Sequence, residues 1–156
     1  IGGSIELSGF EPLPHRLQRF NSPLGRLCFN DSISTIPEAV VAALRSVPAG
    51  PLALIIGGAN RGVGQCKVVD EIRAKADLYV FCLPDTGHTI FDHIVSAVGQ
   101  QRCMLCSDLE DAVSRVASQT PRDAAILLSP GAASYNQFES FEHRGEEFVR
   151  LCMKYL

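Results

Sequence analysis

The chain has 156 residues, of which 46% are hydrophobic and 20% are charged, and its formal net charge is −3. This length and balance suit a single domain over residues 1–156 with its own hydrophobic core, and they argue against intrinsic disorder. The acidic charge without any basic cluster argues against a nucleic-acid partner, and the longest apolar run, residues 52–56, is too short to cross a membrane.

The first residues form a leader that ends at His15-Arg16, and because the chain does not start with methionine we interpret it as part of a longer protein. Two short strands follow, and the turn-rich spacer between them predicts a hairpin. In chain order the predicted elements are strands 16–20 and 26–29, helix 37–45, strand 52–56, a helix over 68–76, strand 78–83, helix 89–98, strand 102–105, helix 109–118, strand 125–128 and a last helix that ends near Tyr155.

This alternation of strands and helices predicts an α/β fold with a doubly wound, mostly parallel sheet and a short N-terminal hairpin. Open sheets of this kind bind their ligands at the carboxyl ends of the strands. The loops that follow strands should therefore meet at one edge of the sheet, and they are 31–35, 57–64, 84–88 and 129–134.

The cysteines favour a reduced core over a metal site. Cys28, Cys82, Cys103 and Cys106 lie in apolar, strand-like contexts, as expected for buried thiols. Cys103 and Cys106 also form a C-x-x-C pair, but a zinc site needs a second pair or histidines at ligand spacing. We therefore predict plain core cysteines and no metal site.

Two of the predicted loops carry side chains suited to an anionic ligand. The first loop offers the Asp31 carboxylate and the hydroxyls of Ser32, Ser34 and Thr35, and the glycine-rich loop offers Arg61 with exposed backbone N–H groups. Arginine grips a carboxylate through two parallel hydrogen bonds. An alternative interpretation is that the Asp31 and Ser32 side chains cap the following helix and that the glycine-rich segment is only a turn.

Other candidate residues are weaker. The glycine-rich loop matches neither the phosphate-loop pattern nor the dinucleotide pattern. Ser134 lacks the G-x-S-x-G turn of a nucleophilic serine. We interpret His88 and His93 as surface or capping residues. Arg16 is either a surface charge or a contact to a ligand shared with a preceding domain.

Four blocks of sequence, taken together, carry a resemblance to a known family. They are Leu13-Pro14-His15-Arg16-Leu17, Asn30-Asp31-Ser32 with Thr35, Gly57-Gly58 with Arg61, and Ser129-Pro130 through Ala133-Ser134, Gln137-Phe138, Phe141, Arg144-Gly145 and Phe148. With these blocks the chain resembles the C-terminal, Rossmann-like domain of the Mur ligases, most closely the members that add glutamate.

The resemblance implies an ATP-dependent amide ligase of peptidoglycan synthesis in the bacterial cytoplasm. In that family ATP phosphorylates the terminal carboxylate of UDP-N-acetylmuramoyl-L-alanine, and the amine of glutamate then displaces the phosphate. The N-terminal domain holds the UDP sugar, and the central domain carries the phosphate loop and most of the Mg²⁺ contacts. This chain alone is then expected to be inactive.

The resemblance also assigns residues to the two substrates. Arg16 and Asp31 would contact the ATP ribose, and His15 and Asn30 would lie near the nucleotide. The carboxylates of glutamate would be held by Thr35, Arg61, Ser134 and Phe141. The helical pattern, by contrast, places Phe141 on one stripe with Phe138 and Phe148, so it predicts that the first role of Phe141 is packing.

Two positions depart from the family pattern, because Ile33 and Arg61 stand where the family has lysines. Arginine keeps the charge of lysine but changes its reach and geometry. Both D-glutamate and L-glutamate therefore stay open as the amino acid that is added. Alternatives are another member of the superfamily, such as a folylpolyglutamate synthetase, or a non-catalytic binding module with a flavodoxin-like topology.

Overall fold

A computed structural model describes residues 13–156, so the predicted leader lies largely outside the described residues. The strands are β1 (Gln18–Asn21), β2 (Leu27–Asn30), β3 (Leu52–Ile56), β4 (Leu78–Cys82), β5 (Cys103–Leu105) and β6 (Ala125–Leu128). The helices are α1 (Pro37–Ser46), α2 (Cys66–Ala74), α3 (Thr86–Thr89), α4 (Phe91–Val98), α5 (Leu109–Gln119) and α6 (Phe141–Tyr155).

The strands form one sheet in the order β1-β2-β6-β3-β4-β5. Strands β1 and β2 pair antiparallel, and the other four neighbouring pairs are parallel. The predicted hairpin and the mostly parallel sheet are therefore confirmed. All five residues of β3 are buried, as a continuous apolar run predicts for a central strand covered on both faces.

Helices cover both faces of the sheet, so the doubly wound arrangement is confirmed. Helices α1, α2 and α4 pack on one face, where Leu54 belongs to the core. Helices α5 and α6 pack on the other face with its neighbour Ile55. Adjacent residues of a strand point to opposite faces, so β3 contributes to both cores.

The cysteines are buried where the sequence predicts buried thiols. The four cysteines predicted to be buried are buried, as is Cys152, and all six are free. Within residues 13–156 no group of three or more His, Cys, Asp or Glu residues is placed to hold a metal ion. None of the helices described is both long and apolar enough to cross a membrane.

Two helices differ from prediction. The helix predicted at 89–98 corresponds to α4, which starts at Phe91, and an additional short helix, α3, forms mostly within the loop predicted at 84–88. The last helix starts only at Phe141, because the Ser140 side chain accepts a hydrogen bond from the His143 N–H at 3.1 Å and caps the helix there. Phe138 therefore lies in the preceding loop, and the predicted helical stripe is too long at its start.

A buried arginine ties the amino edge of the sheet together. The Arg26 guanidinium, just before β2, donates to the Ala124 carbonyl at 3.1 and 3.2 Å. It also donates to Thr120 Oγ1 at 2.7 Å and to the Pro121 carbonyl at 3.2 Å, beside the end of α5. A cation at a helix C-terminus satisfies carbonyl groups that have no partner within the helix.

Candidate functional site

Three loops meet at the carboxyl edge of the sheet: the first loop (31–36), the glycine-rich loop (57–65) and the small-residue loop (129–140). The small-residue loop lies between the other two, because β6 lies between β2 and β3. It joins them through hydrogen bonds from the Gly131 N–H to the Ser34 carbonyl at 2.9 Å and from the Ala59 N–H to the Ala133 carbonyl at 2.8 Å. The predicted gathering of these loops is confirmed.

This edge is also the switch point of the fold. Helices α1 and α2, which follow β2 and β3, pack on one face, whereas α6, which follows β6, packs on the other. The chain therefore leaves β6 in the direction opposite to its two neighbours. Such a divergence opens the crevice in which doubly wound sheets bind ligands.

The fourth predicted loop supports the glycine-rich loop from the side. The Asp85 and Thr86 N–H groups donate to the Gly58 carbonyl at 2.9 and 3.0 Å. A Cβ atom at Gly58 would lie 2.4 Å from the Ala133 carbonyl oxygen, so only glycine allows the loops to approach this closely. His88 is exposed, and its Nε2 lies 2.8 Å from the Cys106 carbonyl, as a surface role predicts.

Asp31 is buried, with 3% of its surface exposed, and both of its carboxylate oxygens accept hydrogen bonds. Oδ1 accepts from the Leu17 N–H at 3.0 Å, and Oδ2 accepts from the hydroxyls of Ser129, at 2.9 Å, and Ser34. Burial raises the pKa of Asp31, and these hydrogen bonds oppose the rise. The carboxylate thus joins the first loop, the small-residue loop and the chain before β1.

Neither Asp31 nor Ser32 caps the following helix, so that alternative is wrong. Ile36 is the N-cap residue of α1, and no side chain caps it. The Ser32 hydroxyl instead donates to the Phe141 carbonyl at 2.7 Å, at the start of α6. Pro37, which has no N–H to satisfy, begins the helix as predicted.

Arg16 and Asp31 lie on one cavity of about 290 Å³ beside α1. Its remaining lining is mostly small or apolar and consists of Leu17, Ile33, Ser34, Ala39, Ala42, Ala43 and Ser46. Arg16 is exposed, whereas Asp31 is buried at the cavity wall. The structure thus brings together the two residues that the resemblance implies for the ribose.

His15 and Asn30 fasten the chain before β1 to α6. The Asn30 side-chain amide lies 3.0 Å from His15 Nδ1 and donates to the Gly145 carbonyl at 3.3 Å. Because an amide nitrogen can only donate, His15 Nδ1 is the acceptor in this contact. The His15 carbonyl accepts from the Ile33 N–H at 3.1 Å, so this segment also orders the first loop.

The four residues implied for glutamate lie on the three loops and at the start of α6. Arg61 is exposed and makes no ion pair or hydrogen bond within residues 13–156. Ser134 is 3% exposed, and its carbonyl accepts from the Gln137 and Phe138 N–H groups. Thr35 is half-buried. No hydrogen bond joins the side chains of these four residues in the part of the chain that the structure describes.

Phe141 is half-buried and lies at the ligand edge. Its ring meets His15 edge-on, with 6.1 Å between ring centroids. It shares a helix face with Phe148, as predicted, but Phe148 belongs to the core and Phe141 does not. Phe141 therefore packs against His15 at this edge and lies outside the core cluster that contains Phe148.

Arg144 is the polar residue of the site that sequence reasoning did not single out for a role. It is 1% exposed, and its guanidinium donates to Ser32 Oγ at 2.9 Å, to the Ser32 carbonyl at 2.7 Å and to the Ala132 carbonyl at 3.0 Å. Burial lowers its pKa to about 10, so it stays charged at neutral pH. The sequence did contain a sign of this role, because Arg144 lies between Phe141 and Phe148 on the apolar face of α6, where a charged residue is unexpected.

The arrangement is suited to binding. Arg16 and Arg61 are exposed cations on either side of the small-residue loop, and Arg144 is a third, buried cation behind it. Backbone N–H groups of the loops complete a surface that favours an anion. Within residues 13–156 no serine, threonine or cysteine side chain is hydrogen-bonded to a histidine ring, as a hydrolase of the serine–histidine type would require.

Comparison with known proteins gives curated relatives, although no family model matches the chain. A UDP-N-acetylmuramoyl-L-alanine--L-glutamate ligase of Micromonospora sp. is 34% identical over 146 residues, which cover 94% of this chain and 32% of the relative. A UDP-N-acetylmuramoylalanine--D-glutamate ligase of Hydrogenobaculum sp. is 36% identical over 149 residues, which cover 96% of this chain and 35% of the relative. The chain thus spans about a third of the length of these relatives.

Solved structures of Mur ligases share the fold of this chain. The MurF ligase of Thermotoga maritima, solved in complex with ADP, matches 96% of this chain and 33% of its own chain with a TM-score of 0.55 and 18% sequence identity. At this identity the similarity shows the fold alone. It confirms the predicted α/β architecture.

Proposed function

Because this chain belongs to the Mur ligase family, as a homologue of its glutamate-adding members, we propose that it is the glutamate-binding C-terminal domain of an ATP-dependent amide ligase. The observation that carries the proposal is the meeting of three loops at the switch point, with the guanidinium of Arg61 free to receive a carboxylate. The intact protein adds glutamate to UDP-N-acetylmuramoyl-L-alanine in the bacterial cytoplasm.

The proposed reaction has two steps. The terminal carboxylate of UDP-N-acetylmuramoyl-L-alanine takes the γ-phosphoryl group of ATP, which leaves ADP and an acyl phosphate. The amine of glutamate then attacks the acyl carbon, an amide bond forms, and phosphate leaves. The phosphate loop and Mg²⁺ belong to the central domain. The present chain, as the C-terminal domain, holds the amino acid in place, which removes much of the entropic barrier to the second step.

On the nucleotide side, Asp31 and Arg16 contact the ribose from the wall of their shared cavity. A carboxylate has about four acceptor positions, and Asp31 uses three of them inside the fold. The remaining position, on Oδ1, is available to a ribose hydroxyl. His15 and Asn30 hold this segment in place and lie near the nucleotide.

On the glutamate side, Arg61 binds a carboxylate, and Thr35, Ser134 and Phe141 form the walls around it. The burial of Ser134 favours recognition through its loop, with Phe141 closing the pocket at the start of α6. Relatives of similar identity act on each enantiomer of glutamate. Arg61, in place of a family lysine, distinguishes this pocket and bears on the choice between enantiomers. Ile33, in place of the other lysine, lines the neighbouring cavity of Arg16 and Asp31.

The test of the proposed function is an assay of the intact protein with UDP-N-acetylmuramoyl-L-alanine, Mg²⁺-ATP and either D-glutamate or L-glutamate. Amide formation with one enantiomer, accompanied by release of one phosphate, is the expected result. Failure to add either enantiomer, with alanine or a folate derivative as a working substrate instead, would assign the chain to another branch of the superfamily.

Replacing Arg61 by alanine in the intact protein is expected to raise the KM for glutamate by about tenfold or more, since a hydrogen-bonded charge contributes roughly 1.5–3 kcal/mol. The KM for ATP should change far less. Arg122 is a matched control, because it is also exposed and lies at the opposite edge of the sheet. If Arg61→Ala and Arg122→Ala give the same glutamate KM, Arg61 is only a solvated residue of the turn.

A further inference from the structure

Arg144 has an unusual environment for a charged side chain. It is the largest fully buried side chain of residues 13–156, and burial of a charge is costly unless its hydrogen bonds are satisfied. Its acceptors are carbonyl and hydroxyl oxygens, and no carboxylate faces it among the described residues. The side chain is therefore held by loop backbone and not by an ion pair.

The acceptors belong to two different loops. Nη2 donates to the Ser32 carbonyl at 2.7 Å in the first loop, and Nη1 donates to the Ala132 carbonyl at 3.0 Å in the small-residue loop. Because the guanidinium is rigid and planar, these two bonds fix the distance between the loops. The proposed nucleotide contact Asp31 and the proposed glutamate contact Ser134 lie within two residues of the acceptors.

The third loop and the start of α6 meet the same side chain. A Cβ atom at Gly58 would lie 3.2 Å from Arg144 Nη1, so the glycine-rich loop passes directly over the guanidinium. Ser32 Oγ accepts from Arg144 Nε at 2.9 Å and donates to the Phe141 carbonyl at 2.7 Å. Arg144 thus bonds to the first loop and the small-residue loop, lies against the glycine-rich loop and is linked through Ser32 to the start of α6.

We propose that Arg144 is a positioning residue that sets the spacing of the first loop and the small-residue loop, and so couples the nucleotide side of the site to the glutamate side. This inference rests on the proposed function. Arg144 itself is too buried to touch a substrate and acts through the loops that it holds. Loss of the planar guanidinium should therefore weaken the binding of both glutamate and ATP.

The test is Arg144→Lys in the intact protein, which keeps the charge but not the planar fork. The KM values for glutamate and ATP are both expected to rise by about tenfold or more, because small misplacements of binding groups cost about this much. Arg26→Lys is the matched control. Arg26 is also a buried arginine held by carbonyl groups, but it lies at the opposite edge of the sheet. Arg26→Lys should lower the Tm and leave the KM values for glutamate and ATP unchanged.

Two further measurements keep the outcomes distinct. Ser32→Ala removes the hydroxyl between Arg144 and Phe141, and it should raise the same KM values in a non-additive way with Arg144→Lys. Hydrogen exchange at the Gly131 and Ala59 amides should become faster in Arg144→Lys and not in Arg26→Lys. If the wild-type protein adds glutamate but Arg144→Lys behaves as Arg26→Lys does, the positioning role is overturned. If the wild-type protein adds no glutamate, the proposed function fails, and hydrogen exchange still decides whether Arg144 sets the loop spacing.

Discussion

Replacing Asp31 by asparagine is expected to lower kcat/KM for ATP in the intact protein by about thirtyfold, while the fold survives. The loss corresponds to roughly 2 kcal/mol for one hydrogen bond to a charged group. The asparagine oxygen can still accept from the Leu17 N–H, and the hydroxyls of Ser34 and Ser129 can rotate to accept from its amide. The free energy of unfolding should therefore change by no more than about 1 kcal/mol.

Asp31→Ala separates the structural role from the binding role. It leaves three donors without their acceptor, each at a cost of roughly 1–3 kcal/mol if it stays buried, so it should destabilise the chain far more than asparagine does. Asp123→Asn, at an exposed position on the opposite edge, is the control. Urea denaturation measures the stabilities. Equal losses for alanine and asparagine would show that the negative charge, and not the hydrogen bonding, holds the loops.

The raised pKa of Asp31 also predicts a pH dependence. The cause is burial, and the folded chain therefore keeps this proton to a higher pH than the unfolded chain does. Between the unfolded pKa, about 3.9, and the raised folded pKa, the folded state binds more protons, so the free energy of unfolding falls as pH rises. The contribution is complete below the unfolded pKa and is lost as pH rises through the folded pKa. Asp31→Asn should remove this slope, as unfolding in urea at a series of pH values would show. An identical slope in the variant would place its origin in another group.

The sequence was most informative where one local rule decides the structure. Strand β3 has the predicted bounds, because a run of five apolar residues is enclosed by Pro51 on one side and Gly57 on the other. Pro37 begins α1 as predicted, and Asp108 caps α5 by accepting from the Asp111 N–H. At these points neighbouring residues carry all the information.

Local rules failed where distant residues compete for the same side chain. Asp31 is a residue type that often caps a helix. In the structure its buried carboxylate instead accepts a hydrogen bond from the hydroxyl of Ser129, 98 positions further along. The same holds for Arg144, whose acceptor Ser32 is 112 positions away. Periodicity can flag an arginine on an apolar face, but it cannot name the loops that the arginine will join. The edge of the sheet was therefore predictable, and the network inside it was not.

Gly145→Ala is expected to raise the KM for ATP by about tenfold or more through displacement of a neighbouring segment. A Cβ atom at Gly145 would lie 2.1 Å from His15 Nδ1 and 2.9 Å from Asn30 Nδ2. His15 must then move. Its displacement disturbs the hydrogen bond that its carbonyl accepts from the Ile33 N–H, and it shifts the adjacent Arg16. Alanine inside a helix is more favourable than glycine by about 1 kcal/mol, so this gain offsets part of the steric cost.

The stability and the KM should thus respond differently to Gly145→Ala, and a double substitution tests the reason. His15→Ala removes the ring that the new methyl group would meet, so the pair His15→Ala/Gly145→Ala should be at least as stable as His15→Ala alone. Coupling of this kind is the signature of a direct contact. If instead Gly145→Ala leaves the ATP KM unchanged and lowers stability whether or not His15 is present, the glycine serves only the packing of α6. Its contact with His15 would then have no part in placing Arg16 at the nucleotide.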